Sequence, residues 1–211
     1  MTAIERSMAK FKNIAGFTLI ELLVSMAIGL AVIASVAGTF TAQTRQNNAE
    51  EQVAQMEQNV RAALDLMVRE IQMAKYNPAG TSAFSSAYGV TYSASQLEVK
   101  ADLDGNGAID TSSGSVEDII YTHDATNRYI TRKLGSSGTA EIVADNITAF
   151  TFNYYDANGS AVTSSANSGN IRKISVSITA RTAKPDPSFT SNGGYRTYQL
   201  SADITPPNLA V

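Results

Sequence analysis

A stretch of 23 residues without a charged side chain, Leu22 to Thr44, constrains this chain more than any other feature of its sequence. Because a helix rises about 1.5 Å per residue, the stretch would span roughly 35 Å, enough for the hydrocarbon core of a bilayer. The rest of the 211-residue chain is polar and punctuated by glycine. We therefore predict one membrane-spanning helix near the N-terminus.

The charges around this stretch predict its orientation. Residues 1–16 carry a net charge of +2, whereas the whole chain carries −3. The positive-inside rule then puts the N-terminus in the cytoplasm and the larger C-terminal part outside. A cleaved secretory signal peptide, with its cleavage site within 34–38, is the alternative. The helical pattern continues without a break past Thr44, which favours a retained segment.

The composition excludes several classes of function. The chain has no cysteine, which removes disulfides, thiolate catalysis and zinc sites built on cysteine. It has a single histidine, His123, and neither a Gly-x-Ser-x-Gly elbow nor a phosphate loop, so we expect no enzyme. Its basic cluster, Arg128, Arg132 and Lys133, is predicted to be a solvated strand face, and no nucleic-acid partner is expected. The alternative class is a membrane-anchored periplasmic enzyme. A pocket with clustered acidic side chains would favour that class.

A second helical pattern follows the uncharged stretch directly. Its apolar residues recur at steps of three and four: Val53, Met56, Val60, Ala63, Leu64, Met67, Ile71 and Ala74. Asn77-Pro78, followed by Gly80, is a stop signal. The pattern predicts one helix from Phe17 to Tyr76 whose apolar stripe packs on a β-sheet.

Beyond Pro78 the period of the pattern changes to that of strands. Runs rich in β-branched and aromatic residues predict strands at 96–100, 118–122, 129–134, 141–143, 148–155, 172–182 and 195–204. Residues 135–139 are predicted to be a hairpin turn. Runs joined this closely favour a mainly antiparallel sheet, so the fold class is α+β.

Glu21 lies inside the apolar segment, five positions after Gly16, and a carboxylate in a bilayer costs on the order of 3 kcal/mol. It belongs to the sequence Gly16-Phe17-Thr18-Leu19-Ile20-Glu21, which follows Lys12 and precedes the apolar stretch. This order of elements closely resembles the cleavage and methylation signal of type IV prepilins and type II secretion pseudopilins.

The resemblance implies a processing reaction and an assembly contact. A prepilin peptidase would cut between Gly16 and Phe17, and the new N-terminus at Phe17 would be N-methylated. The carboxylate of Glu21 would neutralise the Phe17 amine of a neighbouring subunit, since two charges that are each costly in lipid become tolerable as a pair.

The resemblance also implies a division of the chain and its location. Residues 1–16 would be a cytoplasmic leader, 17–44 a transmembrane and assembly helix, and 45–211 a pilin-like globular domain. That domain would comprise an amphipathic helix at 45–76 and a β domain at 88–205. The protein would sit in the bacterial inner membrane by a single pass, with its C-terminal domain in the periplasm, and then enter a pilus or pseudopilus filament.

Features of the C-terminal half indicate a minor subunit. Segments 116–121, 147–156 and 204–208 are similar to those of PilW-like minor pilins and J-type minor pseudopilins of type II secretion. The disulfide of many major pilins is absent, and the chain is longer than a typical major pilin. We expect a non-enzymatic minor pilin that partners other pilins, with a type II secretion pseudopilin, or a tip module for adhesion or DNA uptake, as alternatives.

An acidic loop predicts a calcium site. Asp102, Asp104, Asn106 and the turn residue Gly107 match the start of an EF-hand loop, although Ser113 replaces the acidic residue at position twelve. Seven residues are candidate ligands. Asp102, Asp104, Asn106 and Asp110 would bind through side chains and Ala108 through its carbonyl, and Glu117 or Asp118 could supply a further carboxylate if the loop folds back. An acidic turn between strands that needs no metal is the alternative.

Overall fold

The structure, a computed structural model, describes residues 16–80 and 89–209 of the chain. The chain divides into two compact units, residues 1–48 and residues 49–211. Apart from Gly16, the predicted leader lies outside the described residues.

Helix α1 runs from Leu19 to Gln72 and ends four residues before the predicted boundary at Tyr76. The cause is Lys75, which adopts a left-handed conformation (φ 61°) and donates its backbone N–H to the carbonyl of Lys100 at 2.9 Å. A residue in this conformation after the last turn is a usual way for a helix to end. The chain therefore turns onto the sheet before it reaches Pro78.

The apolar N-terminal part of α1 has its large side chains exposed, with exposed fractions between 52% at Val24 and 77% at Leu19. Its most apolar window has a mean hydropathy of 2.4, and none of that window is buried. By length and composition, this helix is able to cross a membrane.

The strands form two antiparallel sheets, where the sequence predicted one. Sheet A has the order β1-β2-β3-β4-β5 and sheet B the order β7-β6-β8-β9. Sheet A contains β1 (Val90–Thr91), β2 (Gln96–Lys100), β3 (Asp118–Asp124), β4 (Tyr129–Leu134) and β5 (Ala140–Ala144). Sheet B contains β6 (Ile147–Tyr155), β7 (Ala161–Val162), β8 (Lys173–Arg181) and β9 (Thr197–Ile204).

The break between the sheets lies at the turn between β5 and β6. Asn146 adopts a left-handed conformation (φ 56°) there, and its carbonyl accepts a hydrogen bond from the N–H of Arg181. Strand β6 consequently pairs with β8 instead of continuing the meander of sheet A. The antiparallel character and the α+β class are confirmed.

The hydrophobic core lies between the second half of α1 and the inner faces of both sheets. The predicted apolar stripe supplies the helix side of that core, and seven of its eight members are buried: Met56, Val60, Ala63, Leu64, Met67, Ile71 and Ala74. Side chains from β2, β3, β6 and β8 complete the same cluster. The prediction that this stripe packs on a sheet is confirmed.

Candidate functional site

The start of α1 is closed by a reciprocal pair of hydrogen bonds between Thr18 and Glu21. The Glu21 carboxylate accepts the backbone N–H of Thr18 at 3.0 Å and its hydroxyl at 2.9 Å. The Thr18 hydroxyl oxygen in turn accepts the N–H of Glu21 at 3.3 Å. This is a capping box, which stabilises the first turn of a helix. The Thr-x-x-Glu spacing is a sequence signal for it, although the resemblance implied only an assembly role for Glu21.

The residues around the predicted cleavage point are accessible. Gly16 and Phe17 precede the helix and are exposed. Among the described residues, none has an atom within 4 Å of the position that a Gly16 Cβ would occupy, so this part of the fold does not require glycine there.

Polar side chains within the apolar part of α1 are satisfied by the helix itself. Each hydroxyl donates to the backbone carbonyl four residues earlier, as in Ser25 to Glu21, Ser35 to Ala31 and Thr39 to Ser35. Such bonds let serine and threonine lie in an apolar environment without an unpaired donor. The apolar part of α1 is therefore suited to contact with lipid, or to a contact with other helices that excludes water.

The acidic loop brings three of the seven predicted calcium ligands together. Oxygen atoms of Asp102, Asp104 and Glu117 all lie within 4.8 Å of one another. Asp102 is fully buried and Glu117 is 4% exposed, whereas Asp104 is exposed. Calcium prefers several carboxylate oxygens at one place, so this donor set fits that ion.

Backbone N–H groups hold the two buried carboxylates in place. Asp102 accepts from Gly105 and Gly107, each at 2.8 Å. Glu117 accepts from Leu103 at 2.9 Å, and also from Asp104 and Asp110. The loop is thus folded around its own acids.

The other predicted ligands lie outside this group of three carboxylates. Asn106 donates to Asp104 at 2.9 Å through its amide, and its Oδ1 accepts the N–H of Ala108 at 2.8 Å. Asp110 accepts from the backbone and hydroxyl of Ser112, and these hydrogen bonds lower the pKa of Asp110. Asp118 is the first residue of β3 and lies opposite Lys100.

A buried polar network, which sequence reasoning missed, links α1 to sheet A. Glu70 of α1 is 5% exposed, and its Oε1 accepts from Arg132 Nη2 of β4 at 2.5 Å. Arg132 Nε also donates to Oε2 at 3.2 Å, and the Tyr121 hydroxyl of β3 donates to that oxygen. The prediction that Arg132 lies on a solvated strand face is therefore wrong.

Tyr121 acts as the neutral donor of this network. It is fully buried, and burial together with the Glu70 carboxylate raises the pKa of its hydroxyl. The proton therefore stays on the tyrosine at physiological pH, and Glu70 and Arg132 form a partly buried ion pair.

Two comparisons with known proteins bear on this chain. The family of the prokaryotic N-terminal methylation motif matches residues 11–37. Among solved structures, a type IV-like pilin from Thermus thermophilus is similar at 12% identity and a TM-score of 0.41, over 72% of this chain and 97% of that chain. No curated protein matches.

The motif match concerns the N-terminal segment of the chain, residues 11–37. The chain carries the methylation motif, and the motif includes both Phe17 and Glu21. This supports a type IV pilin-like protein, that is, a structural subunit of the pilin or pseudopilin type.

Proposed function

We propose that the chain is a minor pilin, a non-enzymatic subunit that a prepilin peptidase processes and that then joins a type IV pilus. The methylation motif at residues 11–37, with its cleavage point exposed ahead of α1, carries the proposal. A minor pseudopilin of type II secretion is the alternative role, since both classes share the motif.

The proposed mechanism uses the apolar half of α1 twice. Before assembly, its exposed side chains lie in the inner membrane, with the leader in the cytoplasm and the C-terminal domain in the periplasm. During assembly, the same side chains become buried among the helices of neighbouring pilin subunits. Glu21 then exchanges its hydrogen bonds to Thr18 for the Phe17 amine of a neighbour, which sets the axial register.

The processing step tests this proposal directly. Mass spectrometry of the protein extracted from membranes should find a mature N-terminus at N-methylated Phe17. A bulky replacement of Gly16 should block the cut more than Gly16→Ala does, because the peptidase must accept a small side chain before the cleaved bond. A mature N-terminus near Gly38, with release into the periplasm, would exclude the pilin role.

A tip binding module is the second candidate function. It is favoured by an uncharged groove lined with aromatic side chains on sheet B, which includes Tyr92, Phe152 and Tyr154. A minor pilin that carries such a groove could occupy the filament tip, where a ligand would reach it.

Calcium binding at the acidic loop stays a prediction. The cluster of Asp102, Asp104 and Glu117 supports it, because three carboxylates at one place repel one another unless a cation spreads their charge. Calcium should raise the thermal midpoint of the full chain in detergent by mass action, and Asp104→Ala should abolish the rise. Asp156→Ala, in a turn outside the cluster, is the matched control. An unchanged midpoint in millimolar calcium would favour a plain acidic turn.

A further inference from the structure

Strand β6 has one fully paired edge and one edge that is largely open. Along its first edge it pairs with β8 from Ile147 to Tyr155, with a shift of register between Ile147 and Ala149. Along its second edge, β7 pairs only with Tyr154 and Tyr155. Among the described residues, no strand pairs with the second edge over residues 149–153.

The direction of the β6 backbone shows which groups face the open edge. Tyr155 accepts from the N–H of Arg172, which precedes β8, whereas Asp156 donates its N–H to the carbonyl of Ser160, which precedes β7. Because backbone groups alternate between the two edges of a strand, Phe150 and Phe152 point their N–H and C=O groups to the open edge. Two donors and two acceptors are thereby presented in a row.

A groove runs along this open edge. Residues 92–94 form one of its walls and residues 161–163 form the end where β7 stops. The rings of Phe150, Phe152 and Tyr154 form an edge-to-face series, with centroids 5.3 and 5.9 Å apart. The described residues that line the groove carry no charged side chain.

We propose that this groove binds an extended, uncharged segment of another protein chain, which adds to sheet B as a strand beside β6. Strand β7 already occupies the same edge for two residues in antiparallel orientation, so an incoming segment would continue that pairing. An open strand edge supplies affinity through main-chain hydrogen bonds, and the flanking pockets select side chains. The uncharged lining favours uncharged side chains and disfavours charged ones. The proposal does not depend on the filament role of the chain.

The test uses the full chain in detergent micelles and a fluorescent, end-blocked peptide of eight alternating threonine and valine residues. Saturable binding is expected, together with slowed hydrogen exchange at the amides of Phe150 and Phe152. An analogue N-methylated at every residue has no backbone donors, and it should bind about tenfold more weakly or worse.

Two tryptophan variants locate the site. Ala94→Trp places a large ring in the groove from an exposed wall position, and it should abolish binding. Ala157→Trp adds the same ring at an exposed position in the turn after β6, and it should leave binding unchanged. Circular dichroism of both variants checks that the fold is retained.

Three results would overturn the proposal. They are absence of peptide binding, equal affinity for the N-methylated analogue, and binding that survives Ala94→Trp in a folded protein. Binding of a neutral oligosaccharide such as maltoheptaose, without any binding of the peptide, would assign the groove to a sugar instead. None of these results would bear on cleavage before Phe17, so the filament role is tested separately.

Discussion

Asp118 is buried at the start of β3, and both of its carboxylate oxygens lack a hydrogen-bond partner among the described residues. Burial raises the pKa of Asp118, Lys100 and Lys133 oppose the rise, and Glu98 adds to it. An unpaired buried polar group costs about 1–3 kcal/mol, and a charge costs more. Asp118 is therefore a point of weakness in sheet A at neutral pH.

Asp118→Asn should raise the thermal midpoint at pH 7, because it removes the buried charge. When a carboxyl group has a raised pKa in the folded state, the folded protein loses stability as the pH rises above the pKa of that group in the unfolded state. The difference between variant and parent should therefore shrink as the pH falls toward the ordinary pKa of aspartate, and a pH series of thermal melts measures it. A variant that is less stable than the parent at pH 7 would show that Lys100 pairs with the charge after all.

At the scale of elements, a hydrogen-bonded network joins the second half of α1 to β3 and β4 of sheet A. Its members are Glu70, Tyr121 and Arg132. Glu70→Leu should destabilise the fold by about 3–5 kcal/mol, because it leaves Arg132 as an unpaired, partly buried charge. Tyr121→Phe should cost about 1.5–3 kcal/mol, since it removes one hydrogen bond to a charged group. Urea unfolding of the full chain in detergent measures both losses.

The double variant Glu70→Leu with Arg132→Met separates pairing from packing. It should be more stable than either single variant, because both charges are then gone and apolar side chains fill similar volume. Strictly additive losses would show that Glu70 and Arg132 act independently. Glu57→Leu, on the same helix but outside the network, controls for the change in helix composition.

The contrast between α1 and this network shows what the sequence could predict. The apolar stripe of α1 repeats every three or four residues, so a local window sufficed to find its buried face. The strands β2, β4 and β8 were visible for the same reason, as runs of strand-forming residues. Glu70 and Arg132 are 62 residues apart, and each reads locally as a solvated charge. Their pairing depends on the sheet topology, which no local pattern encodes.

The acidic loop was predictable only in its local half. The spacing of Asp102 and Asp104 was visible in the sequence, and so was Gly107, whose φ of 82° suits a sharp turn without a Cβ. The sequence could not distinguish Glu117 from Asp118 as the carboxylate that returns to the loop, because that choice depends on how the loop joins β3. The structure folds Glu117 back onto the N–H groups of Leu103 and Asp104. Asp118 enters the sheet instead.

At the scale of the whole molecule, Glu21 links the single chain to its proposed assembly. In the isolated chain its carboxylate caps α1 through Thr18, so a neighbouring amine must compete with that cap. Glu21→Ala should leave membrane insertion and cleavage before Phe17 intact, because it removes a charge from the apolar segment. It should reduce incorporation into filaments, because the Phe17 amine of the neighbour then loses its counter-charge. Immunoblots of sheared filaments and of membranes measure both fractions.

Glu21→Gln distinguishes the charge from the cap. The amide keeps an oxygen that can accept the N–H of Thr18, so the first turn of α1 stays closed, but it carries no charge to neutralise an amine. If charge pairing drives assembly, Glu21→Gln should fail as Glu21→Ala does, while Thr18→Val, which removes only the hydroxyl, should incorporate at close to the parental level. If capping alone matters, Glu21→Gln should incorporate normally, and Glu21 would then be a helix-stabilising residue without a role in register.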